Sequence, residues 1–138
     1  AQDALKEYLS VLDTRGPRKA NAIMILVNMA VFIGMLFWGI SPTSPTSKEL
    51  LEIGGNRRLE VMEGAYWRLL TAIFIHGGLF HLFANIIALM LSGILLEDLL
   101  NDAKLIISFL ICGIVGNLAS IYWYDHTVSV GASGAIFG

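Results

Sequence analysis

The sequence predicts an all-α membrane protein: a polytopic helical bundle with three complete spans and the start of a fourth. Two observations carry that expectation. Of 138 residues, 56% are apolar and 14% charged, with a mean hydropathy of +0.70, whereas a soluble domain has about 25% charged residues. The charges are also segregated, with no Asp, Glu, Lys or Arg from Asn21 to Ser47, from Leu69 to Leu96 or from Leu105 to Tyr124. A helix crosses ~30 Å of hydrocarbon with roughly 20 mostly apolar residues, and each stretch is long enough. A net charge of -2 leaves no basic footprint for nucleic acid, and the single cysteine, Cys112, excludes an internal disulfide framework.

In chain order, residues 1–20 read as a lead-in helix, cytoplasmic or lying on the membrane surface. Leu5, Tyr8, Leu9 and Leu12 recur at helical spacing among Asp3, Lys6, Glu7 and Asp13, and Gly16-Pro17 breaks the pattern. The charges running through it, with no cleavage-site pattern after it, argue for a membrane-surface helix or the stub of a larger cytoplasmic domain rather than a secretion signal, and a first residue that is Ala1 suggests trimmed upstream sequence. Residues 21–138 then form one transmembrane domain, embedded in the lipid bilayer, with spans at about 22–40, 79–96, 105–124 and from 131 onward.

Ser41-Pro42 is expected to end the first span. The first loop, 41–78, is too long for a turn, and the eight charges from Lys48 to Arg68 must reach water or headgroups. Tyr66-Trp67-Arg68 has the aromatic and snorkelling character of an interface. The acidic connector from Glu97 to Lys104 is short, so the second and third spans are antiparallel neighbours. Of the basic residues flanking the spans, Arg15, Arg18 and Lys19 cluster before the first, which orients the N-terminus toward the cytoplasm. Gly113, Gly116 and Ser120 read as a surface for close helix approach, Asn28 and Asn117 as interhelical hydrogen bonds, and Trp38, Trp123 and Tyr124 as interfacial rings.

Polar groups within apolar spans mark where chemistry should be sought, because stranding one in lipid costs a few kcal/mol. His81 and Asn85 lie one helical turn apart on one face, and both can donate hydrogen bonds into a single cavity. Near the start of the second span, they are ~5 Å and then ~6 Å deeper at 1.5 Å per residue. Bridging two helices would explain the pair equally well. In Gly131-Ala132-Ser133-Gly134, a serine between glycines at a helix start exposes its hydroxyl beside free backbone amides, an arrangement that suits a developing oxyanion. Helix packing through Gly134 and Gly138 explains the glycines as well.

Taken in order, Tyr66-Trp67-Arg68, His76, His81-x-x-x-Asn85 and Gly131-x-Ser133-Gly134 resemble the rhomboid intramembrane serine proteases. The resemblance runs from about Ala22 to Gly138. It implies a six-helix core and a serine-histidine dyad below the outer membrane face, with Ser133 as nucleophile. His81, Asn85 and the Ser133 amide would form the oxyanion hole, and Trp67 and Arg68 would belong to a first-loop hairpin bracing the second and third helices. Gly134 would let the fourth helix pack on the sixth, with His76 and Gly131 in support. The substrates implied are single-span membrane proteins cleaved near the outer face, and serine chemistry requires no cofactor.

The family's base is a histidine on the sixth helix, so the remaining helices of the same protein are expected to complete the enzyme. His126, in the loop ahead of Ser133, reads as a solvated residue rather than a substitute base. A catalytically inactive relative that binds membrane helices for trafficking or quality control is the alternative. A zinc site built from His76, His81, His126 and Cys112 is disfavoured, because His76 and His81 are about 140° apart around a helix. No metal is expected.

Overall fold

A computed structural model describes Asp3 and residues 19–138; the lead-in helix expected over residues 1–20 falls almost wholly outside the described residues. The elements run α1 (Ala20–Phe37), α2 (Ser47–Glu52), α3 (Arg58–Met62), α4 (Arg68–Thr71), α5 (Leu79–Leu96), α6 (Asp102–Trp123) and α7 (Ser133–Phe137). Among the described residues the only β pairing is an isolated bridge between Asn56 and Ser129. Among the described residues three helices, α1, α5 and α6, are long and apolar enough to cross a membrane. Only 22–28% of each is buried inside the protein. The remaining apolar surface suits lipid as its solvent, and water would make it a liability.

The first span ends earlier than Ser41-Pro42 suggests. Gly39 takes φ +89°, its amide donates to the Leu36 carbonyl, and the Ile40 amide reaches back to the Met35 carbonyl. That pair of bonds satisfies the last carbonyls of α1, and Ile40 packs beside Met35 in the core. Ile40 is therefore part of the turn that ends the helix. The two glycines at 54 and 64 close α2 and α3 with the same bond pattern.

At its other end, α1 starts at Ala20 because distant carboxylates cap it. The amides of Lys19 and Ala20 donate to Asp102 at 3.3 Å, and the Asn21 amide donates to Glu97 at 3.2 Å. The acidic connector between α5 and α6 thus supplies the acceptors, and the negative charge, that a helix N-terminus lacks. Asp102 also begins α6, three residues before the expected start, behind Asn101, whose side chain accepts from the Lys104 amide at 2.9 Å. Asp102→Ala is expected to cost about 1 kcal/mol, read as a lower melting temperature in detergent micelles.

Two apolar clusters hold the bundle. One, around Met24, Ile73, Leu89, Phe109 and Ala135, joins α1, α5, α6 and α7. The other, around Phe32, Met35, Leu50, Ile75 and Leu82, fastens the first loop to α1 and α5. As the small residues of α6 suggest, α7 approaches closely there: the Gly134 backbone would stand 3.2 Å from a Cβ on Gly116, and Ala135 Cβ 3.2 Å from one on Gly113. The partner seen for Gly134 is thus α6, the third span. Asn28 departs from expectation, since its amide bonds the Met24 carbonyl of its own helix at 2.7 Å rather than a neighbouring helix.

Candidate functional site

Arg68 and Thr71 organise the first loop. Arg68 donates to the carbonyls of Leu51 and Gly55, Thr71 to that of Gly54 at 2.8 Å, and the Arg68 guanidinium lies 4.6 Å from the Trp67 ring centroid. Short helix α4 thereby ties down the turn that follows α2. Asn56, wholly buried, then links this turn to α6 and to the segment leading into α7. Its side chain donates to the Asn117 carbonyl at 3.0 Å, while its backbone exchanges two hydrogen bonds with Ser129. The Asn117 side chain in turn donates to the Leu69 carbonyl at 2.8 Å, so Asn117 joins α6 to the first loop.

The same scaffold fixes the approach to α7. The Gly131 amide donates to the Ala72 carbonyl at 2.8 Å, and Gly131 has φ +109°. Ser133, exposed, is the first residue of α7, whose leading amides have no acceptor within the helix. From the other side, α5 presents His81 and Asn85. A Cβ on Gly131 would stand 2.6 Å from His81 Cε1, 2.7 Å from His81 Nε2 and 3.7 Å from Asn85 Nδ2. Only glycine leaves room there, and both side-chain nitrogens lie within 4 Å of that Cβ position.

An open cavity of about 380 Å³ lies at this junction, lined by His81, Asn117, Ser120, Ser129, Gly131 and Ser133 among others. Asn85 is buried just behind this lining, where its amide donates to the His81 carbonyl at 2.8 Å and keeps a second N–H. The His81 Nδ1 accepts from the Gly77 amide at 3.1 Å.

His76 packs against the His81 ring, with centroids 5.3 Å apart. Its Nδ1 bonds the Phe74 carbonyl at 3.1 Å, and its Nε2 is buried with no partner among the described residues. Burial, and secondarily the neighbouring His81 ring, pushes His76 down to about 4 from 6.5, with the Phe74 bond pulling weakly the other way. A histidine held neutral in the fold but free to protonate when unfolded gives full stability above pH 6.5, lost progressively as the pH falls toward about 4. The loss is on the order of 3 kcal/mol; thermal melts between those pH values should show it, and His76→Gln should flatten the profile.

The metal constellation does not assemble: among the described residues no three His, Cys, Asp or Glu side chains gather. His126 lines a separate cleft with Arg57, Arg58 and Asp125, and Cys112 lies against Gly138 in another cavity. The Asn56–Ser129 bridge and the Gly77 contact with His81 are not among the features expected from the sequence. Asn56 follows Gly54-Gly55, and that glycine pair was the available signal for a tight turn whose next side chain is buried.

A family model described as a rhomboid domain matches residues 63–138. RHOMBOID-like protein 5 of Arabidopsis thaliana is 41% identical over 101 residues, covering 72% of this chain and 32% of that protein. Rhomboid protease GluP of Bacillus subtilis (strain 168) is 33% identical across 100% of this chain and 29% of its own length. Inactive RHOMBOID-like protein 8 of Arabidopsis thaliana is 30% identical over 95 residues, 68% of this chain and 27% of that protein. The chain thus spans about a third or less of the length of each of these three relatives. No solved structure matches it. With three helices able to span a bilayer and a domain match over more than half its length, the chain is an integral membrane protein and belongs to the rhomboid family, which includes both proteases and inactive members.

Proposed function

We propose that this chain carries the nucleophile and the oxyanion hole of an intramembrane serine endopeptidase. The observation that carries the reading is the shared cavity in which Ser133 and His81 meet, with the glycine two residues before Ser133 seated on the His81 ring. Ser133 Oγ attacks the scissile carbonyl while a base takes its proton. The tetrahedral oxygen accepts from His81 Nε2, Asn85 Nδ2 and the Ser133 amide, the kind of preorganised donors that lower an acyl-transfer barrier. The base then returns the proton to the leaving amine, and water hydrolyses the acyl-enzyme.

None of the three histidines suits the base: His76 is buried with Nδ1 occupied, His81 has Nδ1 occupied, and His126 lies in another cleft. By the family resemblance, the base histidine belongs to a further helix of the same protein, outside these residues. The cavity opens at the start of α5 and the end of α6, the side opposite the N-terminus of α1. With a cytoplasmic N-terminus, cleavage falls near the outer face, on single-span substrates whose helix unwinds locally. Water reaches the site there without crossing the hydrocarbon core.

A fluorophosphonate or chloroisocoumarin probe is expected to label Ser133 in the intact protein, with the modified peptide identified by mass spectrometry. The similarity to a relative named inactive favours one alternative, a non-catalytic binder of membrane helices. An unlabelled Ser133 in protein that binds membrane helices selects it.

A further inference from the structure

We propose that the backbone amide of Gly77 is a positioning group that fixes which ring nitrogen of His81 carries the proton, making His81 a hydrogen-bond donor toward the Ser133 site and barring it from acting as the base. The inference rests on the protease reading for its catalytic meaning; the tautomer assignment rests on hydrogen-bond geometry alone.

A neutral imidazole has one N–H and one lone pair, and its surroundings decide which nitrogen has which. A backbone amide can only donate. Because the Gly77 amide points at His81 Nδ1 at 3.1 Å, Nδ1 must offer its lone pair and the proton must sit on Nε2. That is the nitrogen facing Gly131, 2.7 Å from where a Cβ would stand, beside Asn85 Nδ2. Two donor nitrogens consequently lie beside one position, as an oxyanion requires. A protonated Nε2 has no lone pair with which to accept the Ser133 proton.

The local sequence explains how the contact forms. Gly78 is the N-cap of α5 and His81 its third residue, so the side chain folds back onto an amide ahead of the helix that lacks an intrahelical acceptor. This is the reciprocal half of a capping box, with an imidazole replacing the usual Glu or Gln and the donor moved out by one residue. A Cβ at position 77 would lie 3.4 Å from His81 Nδ1 and 3.9 Å from Val130, so the ring rests directly on the backbone. His76 supplies an internal contrast. Its Nδ1 faces a carbonyl, which only accepts, so His76 takes the opposite tautomer although the two rings touch.

Histidine labelled at its ring nitrogens reads this directly in the intact protein in bilayers, with signals assigned by His76→Gln and His81→Gln. The expected spectrum has His81 protonated at Nε2 and bare at Nδ1, with His76 reversed. Replacing Gly77 by glycolic acid turns the amide into an ester and deletes only the N–H. His81 should then become a mixture of tautomers, and kcat on a membrane-embedded substrate should fall roughly tenfold without a matching rise in KM. Gly77→Ala keeps the N–H and should keep the nitrogen spectrum. A proton on His81 Nδ1 in the unmodified protein, or an ester that leaves the tautomer ratio unchanged, overturns the inference. Failure of the fluorophosphonate to label Ser133 overturns the protease reading separately, because the nitrogen signal does not depend on turnover.

Discussion

Ser133→Ala in the intact protein is expected to lower the cleavage rate of a membrane-embedded substrate by at least about 10³-fold while leaving the melting temperature nearly unchanged. Two features set these opposite outcomes. The side chain is exposed at the first turn of α7, so removing one oxygen opens no cavity, and exposed substitutions of this kind stay within about 0.5 kcal/mol. The oxygen is nevertheless the bond-forming atom, and without it only binding and the oxyanion donors remain. His81→Ala and Asn85→Ala should each cost about 10²–10³-fold in kcat, the penalty for losing one oxyanion donor. Combined with Ser133→Ala, they should add little, because the three act on one transition state. Persistent cleavage by Ser133→Ala, measured on a reporter with a single span, would remove Ser133 from the chemistry.

The spans were legible in the sequence because lipid imposes so simple a condition: the charge-free stretches had to be helices, and Leu79–Leu96 appears with the expected bounds. The ends were less legible, since each depended on a partner remote in sequence or on backbone shape. α1 begins where Asp102 caps it and stops at Gly39, and neither the carboxylate eighty residues away nor the turn at Gly39 leaves a hydropathy signal. For the site, the His81–Asn85 spacing and the glycines around Ser133 gave the residue types, and the structure brings His81 and Ser133 to one cavity. What the spacing did not contain was the scaffold between them. Asn56 and Ala72 hold the segment before α7 through backbone hydrogen bonds, which are largely indifferent to the side chain that carries them, and the Asn56 and Asn117 side chains bond carbonyls remote in sequence.

That scaffold makes position 131 sensitive to any added side chain. Gly131→Ala is expected to destabilise the protein by about 2–5 kcal/mol and to lower kcat/KM by at least about 10²-fold. Two costs add. At φ +109° any L side chain is strained, by about 1–2 kcal/mol. The new Cβ would also stand 2.6 Å from His81 Cε1, and neither partner yields cheaply. The ring is held through Nδ1 by the Gly77 amide, and the Gly131 backbone by its bond to the Ala72 carbonyl. Relief comes from swinging the imidazole or from releasing the segment that carries Ser133, and either one separates nucleophile from donors. Gly64→Ala isolates the first cost, for Gly64 has φ +107° with nothing within 4 Å of its Cβ position. It should lose only the conformational part of the stability and cleave normally. If melting and cleavage of the two variants fall together, the contact between Gly131 and His81 does not hold the site, and the convergence of Ser133 with His81 and Asn85 loses its structural basis.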